Sequence, residues 1–95
     1  MRRQAVSRED AEALAMAGLG MLAEDPARIA RFFSLSGLDP SQIRELALTP
    51  AFQTAVLTHI RGDESLLLAF AANLGIDPAR IADAELLLSG QPRGG

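Results

Sequence analysis

Four of the five prolines follow a residue that caps helices, and these pairs limit the possible fold more than any other sequence feature. The pairs are Asp25-Pro26, Asp39-Pro40, Thr49-Pro50 and Asp77-Pro78. An Asp or Thr side chain accepts hydrogen bonds from the free amides of the first helical turn. Proline at the first helical position loses nothing, because its missing N–H would have no partner there. Each pair therefore predicts the start of a helix.

Two glycines predict helix ends. Gly37 and Gly75 are each followed by an apolar residue, Leu38 or Ile76, which is typical of a left-handed cap with a hydrophobic contact behind it. Together with Ser7 as a further cap, the starts and stops define helices at about residues 8–23, 26–35, 40–48, 50–61, 64–74 and 78–88.

The pattern as a whole favours an all-α protein. No segment alternates between apolar and polar residues over the length of a strand,. We expect a compact orthogonal bundle of about six short helices in a single domain, residues 7–89, because helices and linkers this short do not suit a long parallel bundle. Residues 1–6 and 90–95 are expected to be disordered tails. The helix at 64–74 is apolar on nearly every side, which places it at the centre of the bundle.

Composition excludes several classes of function. The chain has no cysteine, so it has neither a disulfide framework nor a thiolate metal site. All nine basic residues are arginines scattered along the chain, and the net charge is -3, so the basic footprint of a nucleic-acid binder is missing. The longest apolar run, Leu66–Ala72, is far shorter than the ~20 residues of a membrane span. We expect a cytoplasmic protein without a cofactor and without a signal peptide.

Two stretches carry a resemblance to a known family. The first contains Leu22-Ala23-Glu24-Asp25-Pro26, Arg31-Phe32-Phe33 and Ser36-Gly37-Leu38, and the second contains Phe52, Val56-Leu57, Asp63-Glu64 and Leu67-Leu68-Ala69-Phe70-Ala71. Over about residues 10–88 the chain resembles a family of short bacterial proteins, chiefly alphaproteobacterial, defined as a domain of unknown function (number thirty-five seventy-two). The resemblance implies a fold and a bacterial, cytosolic setting, but no activity.

His59, the only histidine, is the one candidate for catalysis. It lies at the edge of the apolar stripe of its helix, four residues before Asp63, so it could act as a general base oriented by that carboxylate. However, Asp63 is expected to lie beyond the helix end as a cap, and no nucleophile is marked nearby. The sequence therefore predicts no catalytic, cofactor-binding or metal-binding residue, and a surface or structural role for His59 is favoured.

A glycine pair in the first helix, Gly18-Leu19-Gly20, superficially suggests a phosphate loop. Neither a preceding strand nor a following lysine is present, and a phosphate loop requires both. Because Gly18 falls on the apolar stripe of the helix, it predicts a close approach of another helix instead.

A helix-turn-helix pattern is the basis of one alternative function. Phe70-Ala71, Leu74-Gly75-Ile76, Ile81 and Ala84 place apolar residues and a turn glycine at the positions typical of that motif,. The helix from Pro78 would then be the recognition helix, with Arg80, Asp83 and Glu85 exposed. Two carboxylates facing phosphates oppose this hypothesis.

Arginines flanking two adjacent phenylalanines suggest a different role. Arg28, Arg31 and Arg44 surround Phe32 and Phe33, and adjacent residues on a helix point about 100° apart. One ring, taken as Phe32, could therefore join the arginines in a protein-binding spot, since aromatic residues and arginine are enriched at interfaces. In the other interpretation both rings are buried. We expect a non-catalytic interaction or regulatory module with a protein partner; the alternatives are a helix-turn-helix-related nucleic-acid binder and an enzyme that uses His59.

Overall fold

The computed structural model describes residues 6–90, and six helices account for most of them. Their bounds are α1 (Arg8–Ala23), α2 (Pro26–Ser36), α3 (Ile43–Leu46), α4 (Pro50–Arg61), α5 (Glu64–Leu74) and α6 (Pro78–Ser89). No strand occurs in the described part of the chain, so the prediction of an all-α bundle is confirmed. The predicted helix at 40–48 is shorter than expected: a 3₁₀ turn, Pro40–Gln42, leads into the four-residue α3.

The predicted caps form the expected hydrogen bonds. A side-chain oxygen of the residue before each of these four prolines accepts from a backbone N–H in the first turn of its helix, at 2.9 Å for Asp25, Asp39 and Asp77 and 3.2 Å for Thr49. Gly37 and Gly75 end α2 and α5 in the left-handed conformation, with φ of 73° and 66°. Local chemistry therefore sets most of the helix bounds.

One residue on either side of the predicted domain, residues 7–89, also takes part in the fold. Val6 packs against the core, and Gly90 is the left-handed C-cap of α6. The rest of the predicted tails, residues 1–5 and 91–95, lies outside the described residues.

The centre of the bundle is α4, and the prediction that α5 lies there is wrong. α4 packs against α1, α2, α5 and α6, whereas α5 has α4 and α6 as its main neighbours. On α5 only Leu66, Phe70 and Ala71 are buried, and Leu68 is 53% exposed. Hydropathy reports how much surface a helix could bury, but the number of neighbours it meets depends on how the chain is connected.

Gly18 brings α1 close to α4, as predicted. A Cβ atom at this position would lie 2.7 Å from Ile60 Cδ1 and 3.0 Å from Val56 Cγ1. A side chain here would therefore collide with α4, and the absence of one permits the crossing.

Candidate protein-binding groove

A groove lies on the surface between α2 and α4, and we call it the α2–α4 groove. It consists of two adjoining pockets of about 420 and 500 Å³ that share Leu35, Thr58 and His59. Residues from the start of α2 line the groove beside the end of α4, and residues from the end of α2 line it beside the start of α4. The two helices therefore run in roughly opposite directions along it.

One half of the groove is apolar. Phe32 contributes to its floor, Leu35 and Ser36 line the α2 wall, and Ala51 and Ala55 line the α4 wall. Leu35 is 65% exposed, although an isolated leucine side chain favours burial by about 1.5–3 kcal/mol. This end therefore combines a projecting apolar side chain with a wall of small residues opposite it.

The other half of the groove is charged. Arg28 and Arg31 of α2 line it together with Asp63 and Glu64 at the junction of α4 and α5. Arg28 Nε lies 3.9 Å from Asp25 Oδ2. Neither Arg31 nor Glu64 forms an ion pair or a hydrogen bond with the residues that the structure describes. Two charges of opposite sign thus line one pocket without pairing.

His59 lies where the two halves meet. Its ring packs edge-on against Phe32, with the ring centroids 5.3 Å apart. Partial burial, with a further contribution from the positive charge of Arg31, lowers the pKa of His59; Asp63 acts in the opposite direction. The imidazole is therefore mainly neutral at pH 7, since its usual pKa is about 6.5.

Asp63, the predicted orienting group for His59, has a different role in the structure. Asp63 Oδ1 accepts a hydrogen bond from the backbone N–H of Leu66 at 3.2 Å and so caps α5, as the sequence predicted. Within residues 6–90 the His59 side chain has no hydrogen-bond partner. A general base needs a hydrogen-bonded nucleophile and an orienting group, and residues 6–90 supply neither to His59 in this arrangement.

The four residues predicted to bind protein are only partly brought together. Arg28 and Arg31 line the charged half of the groove, whereas Arg44 lies on α3 and does not line it. Phe32, which the sequence analysis included in the binding spot, is completely buried, and Phe33 is half-buried; the interpretation in which the Phe32 ring faces the core is therefore the one observed. The Phe32 ring packs between Phe33, Phe52 and His59 at centroid distances of 5.2, 5.8 and 5.3 Å.

Sequence reasoning missed Leu35, a large apolar residue of the groove that is 65% exposed. A signal was available, because Arg28, Arg31 and Leu35 are spaced i, i+3, i+7 and therefore share one face of α2. It missed Glu64 as well, and nothing local could have indicated that this residue faces α2. Only the packing of α4 and α5 places it there.

The helix-turn-helix alternative meets an obstacle in α6. α5 and α6 cross at 101°, which is the angle typical of the motif. However, α6 packs against both α1 and α4. The carboxylate of Glu85 accepts from Thr58 and Arg61 of α4, and Arg80 and Asp83 are half-buried with interactions of their own. The expectation that these three residues form an exposed recognition surface is wrong.

Residues 6–90 contain no group of three or more His, Asp or Glu side chains that could hold a metal ion. No single helix in this range has the length and hydropathy to cross a membrane; α5 and α6 reach both only as a pair, and the pair is bent by 101°.

The chain matches the model of one protein family. A family model described as a protein of unknown function (DUF3572) matches residues 8–91, and the chain belongs to that family. The resemblance seen over about residues 10–88 is thereby confirmed. No curated protein and no solved structure matches the chain.

Proposed function

We propose that this DUF3572 protein is a non-catalytic interaction or regulatory module that docks on another protein chain through the α2–α4 groove. The observation that carries the proposal is Leu35, which projects at 65% exposure beside a pocket of about 420 Å³. An apolar pocket bordered by polar and charged groups is the usual anatomy of a protein-binding surface. A bacterial, cytoplasmic setting, which the family resemblance implies, is part of the same proposal.

The charged half of the groove supports docking over catalysis. Arg31 and Glu64 have no partner among residues 6–90, and charged groups of this kind at the edge of an apolar contact select a partner by complementarity. Burial lowers the pKa of the neighbouring His59, which favours its neutral form, and its ring contributes contact surface. The groove thus offers one apolar anchor point with charges of both signs beside it.

Affinity capture from the source cells tests the proposal. The bait is the tagged full chain as wild type, as Leu35→Glu, and as the control Leu48→Glu. Leu48 is 76% exposed but lies outside the groove, so the control introduces the same charge elsewhere. Lysates are compared with and without nuclease treatment.

We expect a stoichiometric protein that survives nuclease, binds wild type and Leu48→Glu equally, and is lost with Leu35→Glu. A single interface hot spot contributes about 2 kcal/mol or more, so the loss should be at least about 30-fold. Equal capture by all three baits would contradict docking at this groove. Capture that disappears with nuclease would favour the nucleic-acid alternative instead.

A further inference from the structure

We propose that the chain that docks in the α2–α4 groove is a second copy of this protein, related to the first by a two-fold axis that runs along the groove. The inference rests on the proposed function, because it assigns the occupant of the same groove. It follows from the order in which residues line the two walls.

The two walls of the groove carry complementary residues at matching levels. In the apolar pocket, the bulky Leu35 of α2 lines one wall and the small Ala51 and Ala55 of α4 line the other, and Leu35 also reaches the charged pocket. In the charged pocket, Arg31 of α2 lines one wall and Glu64 at the start of α5 lines the other. The α2 wall therefore presents a bulky apolar side chain and a positive charge, and the other wall presents small side chains and a negative charge.

A two-fold axis along the groove makes use of this order. In such an isologous contact the same surface is used on both copies, and rotation about an axis within the interface exchanges the two walls while keeping each residue at its level. Leu35 of one copy then faces the alanine wall of the other, and Arg31 faces the other copy's Glu64. Each contact is formed twice.

The second copy fits better than an unrelated protein for a specific reason. An unrelated partner must present a cation, an anion and an apolar group in the order that this groove requires. A second copy has the cation, the anion and the apolar group in that order, because its groove is identical. The contact would also cover Leu35 and give partners to Arg31 and Glu64, which have none within residues 6–90.

Sedimentation velocity over a concentration series, with light scattering on a sizing column, measures the association. We expect the wild-type chain to form a dimer. Leu35→Glu should raise its dissociation constant by roughly 10³-fold, because a loss of about 30-fold applies to each of the two symmetric contacts. Leu48→Glu is the matched control and should dimerise like wild type. Circular dichroism of every variant checks that the helices are retained.

A charge exchange tests the pairing of the walls. Arg31→Glu alone and Glu64→Arg alone should each weaken the dimer, since either change places like charges opposite each other. The double variant should regain most of the wild-type affinity, because the exchanged charges again face opposite partners. Arg44→Glu is the control for a charge reversal outside the groove.

The inference is overturned if the wild-type chain remains a monomer up to about 1 mM, the weakest association of practical interest. It is also overturned if a dimer forms but ignores Leu35→Glu, or if the double exchange fails to restore affinity. A monomeric chain that still captures a different protein through Leu35 would overturn this inference while the proposed function stands. If the groove variants change neither dimerisation nor affinity capture, both this inference and the proposed function are overturned.

Discussion

Two glycines of α1 provide an internal comparison that tests the packing of the core. Gly18 is buried against α4, and a Cβ atom there would lie 2.7 Å from Ile60 Cδ1, 3.0 Å from Val56 Cγ1 and 3.6 Å from Phe70 Cζ. A Cβ atom at Gly20 would meet nothing within 4 Å. Both positions lie in the same helix, so they share the backbone effect of a Gly→Ala substitution and differ in the tertiary contact.

The expected magnitudes follow from these distances. In a helix interior alanine is favoured over glycine by up to about 1 kcal/mol, so Gly20→Ala should stabilise the protein by up to that amount. Gly18→Ala receives the same gain, but the methyl group must displace two side chains of a packed core. Such overpacking costs about 1–3 kcal/mol, so Gly18→Ala should be less stable than Gly20→Ala by about 1–3 kcal/mol.

Urea denaturation followed by circular dichroism at the helical band measures both free energies of unfolding, with the m-value checked for constancy. If Gly18→Ala proves as stable as Gly20→Ala, the close crossing of α1 and α4 is wrong.

A second substitution identifies the atom responsible. Ile60→Val removes the Cδ1 methyl group nearest to the new Cβ atom. In the wild-type background this change should cost about 0.5–1.5 kcal/mol, but in the Gly18→Ala background it should cost less, because the alanine methyl fills part of the vacated volume. Strict additivity in this double-mutant cycle would show that the two groups do not meet.

Three other predictions concern the floor of the groove, its histidine and a cap. Phe32→Ala should destabilise by about 3–5 kcal/mol and Phe33→Ala by clearly less, because only Phe32 is fully buried; equal losses in urea melts would contradict this. NMR titration should give a pKa for His59 below its usual value, and Arg31→Gln should raise that pKa toward it. Because the folded-state pKa is depressed, the contribution of His59 to stability is complete above about pH 6.5 and is lost as the pH falls through the folded-state pKa, which a comparison with His59→Gln over pH 5–8 would show. Asp77→Ala should cost about 1 kcal/mol, the usual worth of an N-cap, and unchanged stability would mean that the cap of α6 contributes nothing.

Much of the secondary structure follows from short-range chemistry. Asp25-Pro26 and Asp77-Pro78 start α2 and α6 where the sequence predicts, because an N-cap bond spans only two residues and needs no tertiary partner,. Gly75 ends α5 for an equally local reason, since it adopts a φ of 66° that other residues rarely adopt,. The segment at 40–48 departs from the prediction in that only four of its residues form an α-helix.

The candidate site was less predictable. The sequence identified Arg28 and Arg31, which line the groove, but it also included Phe32, whose ring is buried. Adjacent phenylalanines on one helix must point in different directions, and local pattern alone does not say which ring faces the core.

The sequence by itself determined that this chain forms short helices joined by tight turns, because caps, prolines and turn glycines act within a few residues of one another. Only the tertiary structure decided which helix is central and which surfaces stay open. α5 is the more apolar helix, yet α4 has more neighbours and buries more of its surface. The groove likewise has one pocket lined by both Leu35 and Ala51 and another lined by both Arg31 and Glu64. These residues are far apart in the chain, and they meet because close packing of α1, α4 and α6 fixes where α2 can lie,.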